Sequence, residues 1–314
     1  MIRLAIVSPC YNEQEVVVQS ARRLSRLIDS LAARGLASAD SFVCFVNDGS
    51  TDRTWPLIAG LHTDNPARFK GLDLAHNVGH QNALMAGMMQ VRDMADAVVT
   101  IDADLQDDLR AIPQMIGHLG RGCDVVYGIK VQRDADPLLK RLTARAFYKL
   151  QRRMGVDCIS DHADFRLLSR RALQMLSAYT ERNLYLRGII PTMGLPSATV
   201  SDVIAPRNKG RSKYTPARML ALALDGITSF TIKPIYGIIY VGCIFVMVSI
   251  AIGFYVFHAI ACGTAVPGWA SLILSLWLIG GIVLISIGMV GIYIGKIYTE
   301  VKRRPLWNVK DFLD

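Results

Sequence analysis

The sequence predicts a mainly parallel α/β sheet with helices on both faces, followed by two membrane-spanning helices. Three observations carry that expectation. Short apolar runs of strand type alternate with helical patterns four times within roughly the first hundred residues. Each strand candidate ends in a polar cluster, and ligands of parallel sheets sit beyond the carboxyl ends of the strands. Residues 234–262 and 267–295 contain no Asp, Glu, Lys or Arg, and each run exceeds the roughly 20 residues a helix needs to cross a bilayer.

Taken in order, residues 2–8 read as a buried strand ended by Pro9-Cys10-Tyr11-Asn12-Glu13, and an apolar-periodic helix follows over 15–31. Residues 41–46 form a second strand, closed by Asn47-Asp48-Gly49-Ser50-Thr51-Asp52. A third, 68–74, leads through Ala75-His76-Asn77-Val78-Gly79-His80-Gln81-Asn82 into a helix that ends at Val91. The fourth, 97–101, delivers Asp102-Ala103-Asp104-Leu105-Gln106-Asp107-Asp108. Two carboxylates spaced i, i+2 and an amide offer the oxygen ligands that Mg²⁺ and Mn²⁺ prefer, and Mg²⁺ usually shares its shell with substrate phosphates. The same residues also suit a plainer role, an acidic turn capping the helix predicted over 109–119. Neither a GxxxxGK[ST] loop nor a GxGxxG after the first strand occurs, which argues against a P-loop ATPase or a dinucleotide dehydrogenase.

Composition sets the compartment. The 314 residues carry a formal charge of +9 with 52% apolar residues, and the mean hydropathy of +0.30 is high for a soluble chain. Lys233 precedes the first span, Lys296, Lys302, Arg303 and Arg304 follow the second, and the connecting loop has no basic residue. The positive-inside rule therefore puts both termini and the large first part of the chain on the cytoplasmic side of the plasma membrane, as a multi-pass protein. The first apolar stretch is too short for a signal peptide. Six cysteines show no metal-finger spacing and read as reduced thiols.

Residues 124–128 read as another strand, and 137–154 as a basic amphipathic helix suited to a membrane interface. Nucleic acid is the rival partner for such cations, but the adjacent spans favour lipid. The basic segment 207–218 can close over a diphosphate through Lys213, or serve as a positive flank of the first span. Gly291 and Gly295 have the GxxxG spacing of close helix packing within or between protomers, compatible with a homo-oligomer.

Three of these clusters, Ser8-Pro9-Cys10-Tyr11-Asn12-Glu13, Val46-Asn47-Asp48-Gly49-Ser50-Thr51-Asp52 and Asp102-Ala103-Asp104-Leu105-Gln106-Asp107, resemble the nucleotide-sugar signatures of the inverting family 2 glycosyltransferases, which have the GT-A fold. Asp164-Phe165-Arg166-Leu167 and Gly210-Arg211-Ser212-Lys213-Tyr214, ahead of two C-terminal spans, resemble the polyprenyl-phosphate branch, which includes dolichyl-phosphate mannose synthases and GtrB-like glucosyltransferases. The resemblance implies a transferase that moves a sugar, glucose first, from a nucleotide-sugar donor onto polyprenyl phosphate with inversion. It implies that Pro9, Tyr11, Glu13 and Asp48 hold base and ribose, with Asp102 beside ribose and metal. Asp104 and Gln106, with Asp102, would ligate Mg²⁺ or Mn²⁺. Arg166 would contact the lipid phosphate with Arg133 as a second candidate, and Asp164 or Asp161 would orient the acceptor or act as base. Arg166 also reads as a structural partner of Asp164 or Asp161, and His80 as a helix-start residue.

The implied organisation is a catalytic domain over 1–214, an interfacial helix over 215–232, a transmembrane hairpin over 233–296 and a cytoplasmic tail over 297–314. GDP-mannose, a UDP-amino-pentose or a UDP-N-acetylhexosamine fits as donor equally well. The rival functions are a metal-dependent nucleotidyltransferase and a non-catalytic lipid-binding or translocation subunit.

Overall fold

The computed structural model describes residues 1–130, 162–182, 184–202 and 268–314, with scattered positions between 235 and 262. The predicted basic helix at 137–154, the interfacial helix at 215–232, Arg133, Asp161 and Lys213 lie outside the described residues. The chain divides into two compact units. One comprises Met1–Arg152, Asp157–Thr215 and Arg304–Asp314; the other comprises Arg153–Val156 and Pro216–Arg303.

The first unit is built on an eight-stranded sheet in the order β7-β5-β6-β4-β1-β2-β3-β8. Its parallel centre is β1 (Leu4–Cys10), β2 (Phe42–Asn47), β3 (Phe69–Leu74) and β4 (Ala97–Thr100). These four strands are buried along their whole length, as strands covered by helices on both faces must be. One face packs on α1 (Val17–Ala33), α2 (Thr54–Asp64) and α4 (Ile112–Gly120); the other carries α3 (His80–Val91). In α1, Val17, Ala21, Leu24, Ile28 and Leu31 fall on one stripe and are fully buried, which is why this stretch folds as a helix against the sheet. On the opposite face Gly87 lets α3 lie directly on the sheet, since a Cβ there would stand 2.5 Å from Val46 Cγ2 and 2.6 Å from Val7 Cγ1.

Three strands were not legible beforehand. β5 (Val125–Lys130) matches the strand expected at 124–128, but β6 (His162–Ser169) inserts antiparallel between β4 and β5, and β7 (Ser197–Asp202) pairs parallel with β5. Short helices α5 (Arg170–Leu176) and α6 (Leu186–Thr192) connect β6 to β7. The expected cytoplasmic tail is corrected in its last residues. β8 (Val309–Leu313) closes the far edge antiparallel to β3, with Lys310 Nζ 3.1 Å from the buried Asp73 Oδ2 and Lys70 paired to Asp314. The buried Asp73 needs a cation and the exposed edge of β3 needs a partner, and one short segment supplies both.

In the second unit, α7 (Trp269–Lys302) is the helix among the described residues long and apolar enough to cross a membrane, by its stretch Leu278–Lys302. It begins two residues after the predicted start at 267 and runs past the predicted end at 295 until Arg303, whose left-handed backbone (φ 47°) stops it. The described residues between 235 and 261 are helical, but among the described residues a second complete span is not present.

Candidate active site

The strand order places β2 and β4 on either side of β1, so the chain reverses its winding there. In sheets of this kind ligands sit at such a switch point, here beyond the carboxyl ends of β1 and β4. The loop after β1 and the loop after β2 are knitted across it. Asn12, at φ 56°, accepts from Thr51 N (2.9 Å), and its own N–H donates to Ser50 Oγ (3.0 Å). Glu13 N donates to Thr54 Oγ1 (2.9 Å) and Gln14 N to Asp52 Oδ2 (3.2 Å). Tyr11 stands exposed at the rim with 42% of its surface open. Pro9 does not reach the rim: it lies inside β1, buried and in register with Val46.

Asp48 is buried and clasps the loop after β3, accepting from Val78 N (2.7 Å) and Gly79 N (3.1 Å). Burial pushes its carboxyl up, against the lowering effect of those two amides and of His80 and His76. The same loops meet at Gly49, at φ +62°, where a Cβ would fall 2.4 Å from His76 C and 2.5 Å from Asn77 N. Gly49→Ala must therefore displace backbone. It is expected to cost about 2–3 kcal/mol, which lowers the melting temperature by roughly 4–12 °C, and to weaken donor binding; thermal melts and a nucleotide titration read both effects.

After β4 the chain turns so that side chains alternate in and out. Ala103 and Leu105 are buried, Asp102 is exposed, and Asp104 and Gln106 are half-buried. Leu105 adopts a left-handed backbone (φ 47°), an uncommon and costly state for a non-glycine residue. Its N–H to Asp102 O (3.1 Å) and the Ser20 Oγ donation to Ala103 O (2.5 Å) hold the turn from behind. Gln106 Nε2 donates to Asp104 Oδ2, so carboxylate and amide stand side by side. The capping role belongs to other residues of the same stretch: Asp108 Oδ1 accepts from Arg110 N (3.0 Å) at the start of a 3₁₀ turn, and Asp108 N donates to the buried Asp202 Oδ1 (2.8 Å).

Among the described residues no group of three or more His, Cys, Asp or Glu side chains surrounds one point. The turn nevertheless offers two carboxylates and an amide oxygen, a donor set that fits an Mg²⁺ or Mn²⁺ ion whose shell is completed by a diphosphate and water.

The acceptor-side motif reaches the same rim through strand register. Thr100 lies opposite Arg166 in the antiparallel β4–β6 ladder, so Asp102 and Asp164, each two residues beyond, run on together. His80, the first residue of α3, fills the gap between the two carboxylates. Its Nε2 is 3.5 Å from Asp102 Oδ1 and 3.5 Å from Asp164 Oδ2. Burial works to lower its pKa, but the Asp164 hydrogen bond and the Asp102 charge prevail and raise it above the ordinary histidine value.

Asp164 also receives Arg166 Nη2 (2.5 Å) and Arg187 through Nη2 (3.1 Å) and Nε (3.3 Å). Burial opposes its charge, yet the His80 hydrogen bond and the charges of Arg187 and Arg166 hold its carboxyl well below the usual carboxylate range. Arg166 is 1% exposed, inside the sheet between β4 and β5. Asp164 and burial hold the side chain inward, the arrangement of the structural alternative to a lipid-phosphate contact.

Sequence reasoning missed His80 and Arg187 as site residues. For His80 the signal was available in its position, at the exit of a parallel strand like the other clusters. Arg187, in Leu186-Arg187-Gly188-Ile189-Ile190, carries no local signal beyond one cation in an apolar run.

Residues 5–176 match the model of glycosyl transferase family 2. Along 306 residues the chain is 43% identical to the uncharacterized glycosyltransferase YkoT of Bacillus subtilis (strain 168), covering 98% of this chain and 90% of the relative. It is 34% identical over 311 residues to the SfII prophage-derived bactoprenol glucosyl transferase of Shigella flexneri, covering 98% of each. Among solved structures, the mannosyltransferase PcManGT of Pyrobaculum calidifontis in complex with GDP-Man and Mn²⁺ aligns over 96% of this chain and 87% of that one, at 14% identity and a TM-score of 0.45.

Proposed function

The chain belongs to glycosyl transferase family 2, and from that premise we propose that it moves glucose from UDP-glucose onto a polyprenyl phosphate of the undecaprenyl type, with inversion, at the cytoplasmic face of a membrane. The observation that carries this reading is the end-to-end likeness to bactoprenol glucosyl transferases. The rim geometry supports it, because the donor-side turn at Asp102–Gln106 and the acceptor-side Asp164 converge on His80.

In the reaction, an acceptor phosphate oxygen forms a bond to the sugar's C1 as the bond from C1 to the donor's phosphate oxygen breaks, and UDP departs. A phosphate monoester has its second pKa near ~6, so the attacking oxygen is already largely anionic at neutral pH. Placement and charge neutralisation then supply most of the rate. Tyr11 and Glu13 line the donor end, Asp48 holds the loop that closes it, and Asp104, Gln106 and Asp102 would hold Mg²⁺ or Mn²⁺. The ion, when bound, neutralises charge on the departing nucleoside diphosphate. Asp164 is kept ionised by its partners and orients cations, a role better matched to its depressed pKa than proton uptake. Arg133, Lys213 and Asp161 remain proposed acceptor and phosphate contacts.

The membrane anchor is proposed as a two-helix hairpin over 233–296 with both termini cytoplasmic. The exposed apolar surface of α7, including Leu276, Ile279, Val283, Ile287 and Ile294, supports contact with lipid, and the GxxxG pair offers a face for a second copy.

The test is to incubate purified full-length protein with undecaprenyl phosphate, Mg²⁺ and separate UDP-glucose, UDP-galactose, UDP-N-acetylglucosamine and GDP-mannose, then weigh the lipid product. Glucosyl phosphoryl undecaprenol with release of UDP is expected. Release of diphosphate, or no lipid product from any donor, overturns the reading.

A further inference from the structure

Asp164 is flanked by two arginines of opposite circumstance. Arg166 is 1% exposed and fixed in the sheet, whereas the Arg187 side chain is 37% exposed while its Nε and Nη2 reach the same carboxylate. A second contact fixes where Arg187 stands: Gln81 Oε1 accepts from Leu186 N (2.8 Å), fastening the start of α6 to the start of α3. His80, the neighbour of Gln81, closes the same carboxylate from the other side. The result is one partly buried carboxylate holding two guanidiniums and an imidazole, with Asp102 on the far side of the imidazole. Among the described residues the buried Arg166 Nη1 has no hydrogen-bond partner, so the cluster has a donor in reserve where buried donors are normally satisfied.

We propose that Arg187 is a phosphate-binding residue of this site, its guanidinium aligned by Asp164 and by the Gln81–Leu186 contact to receive a phosphate oxyanion. The inference rests on the glycosyl-transfer reading for its substrates, and either the acceptor monophosphate or the donor diphosphate supplies that chemistry. A guanidinium suits the task because its fork can hold a carboxylate with one edge and a phosphate with another, which an ammonium cannot do. Asp164 acts through it as a positioning residue.

The experiment compares wild type, Arg187→Ala and Arg187→Lys as full-length protein in detergent. Equilibrium binding of farnesyl phosphate and of UDP is measured without turnover, alongside KM for each substrate and a thermal melt. Loss of one charge-assisted phosphate contact predicts a roughly 10- to 100-fold weaker Kd for one of the two ligands in Arg187→Ala. Only part of that loss is expected to return in Arg187→Lys. A loss confined to farnesyl phosphate assigns the oxyanion to the acceptor, and one confined to UDP assigns it to the donor; either supports the proposal. Unchanged affinity for both ligands, or a loss that lysine restores in full, overturns it even if wild type turns over normally. Arg187-dependent binding in a protein that glycosylates no lipid upholds the phosphate site and overturns the reaction instead.

Discussion

Asp164→Asn is expected to destabilise the first unit by about 3–5 kcal/mol, the usual consequence of leaving a buried charge without its partner. Arg166 is that charge, at 1% exposure with Asp164 on its Nη2. For a domain of this size the loss lowers the melting temperature by roughly 6–20 °C. The effect should depend on pH in a defined direction. Asp164 has a folded pKa below its unfolded value, so its stabilisation is present above the ordinary aspartate pKa of ~3.9 and is lost as pH falls through the folded value. The gap between wild type and Asp164→Asn should be full at pH 7 and narrow below about pH 4. Denaturant titrations at several pH values read this, and a gap that stays constant into acid would remove the ion pair from the account. The double variant Asp164→Asn/Arg166→Met should lose less than the sum of the singles, because the methionine removes the stranded charge.

Asp104→Ala is expected to act on rate and not on folding. The residue is half-buried on the outer side of a turn whose inner side is carried by Ala103 and Leu105. If the proposed Mg²⁺ or Mn²⁺ ion supplies several kcal/mol of transition-state stabilisation, its loss predicts a fall in kcat/KM of roughly 10²- to 10⁴-fold. The melting temperature should stay close to that of wild type. The informative control is Asp108→Ala, four residues on, whose side chain caps the 3₁₀ turn. It should cost about 1 kcal/mol of stability and keep most of the activity. If the two variants behave alike, the stretch is only an acidic cap. Mn²⁺ binding followed by loss of its free-ion EPR signal provides a reading independent of turnover.

The parallel centre of the sheet and its rim were legible from residues alone, because a strand buried on both faces must be apolar throughout and must end where polarity returns. Val99, Thr100 and Ile101 announce a buried strand, and Asp102 announces its end. The same local chemistry marked Asn47-Asp48-Gly49 as a turn. Two charge-free runs also stood out in the chain, although the described residues contain one complete apolar helix.

What stayed hidden depends on pairings between distant segments. No local period places β6 between β4 and β5, or returns Val309–Leu313 to the edge of β3. The antiparallel register that sets Thr100 opposite Arg166 is what buries Arg166 in an interior ion pair with Asp164. By its local sequence His80 is an ordinary helix start, whereas in the fold Asp102 and Asp164 lie on either side of its ring. A residue's type and neighbours in sequence decide whether it prefers strand, turn or helix. Whether a charge is buried, and against which partner, follows from long-range packing, since the energy of burying an ion depends on every group that surrounds it.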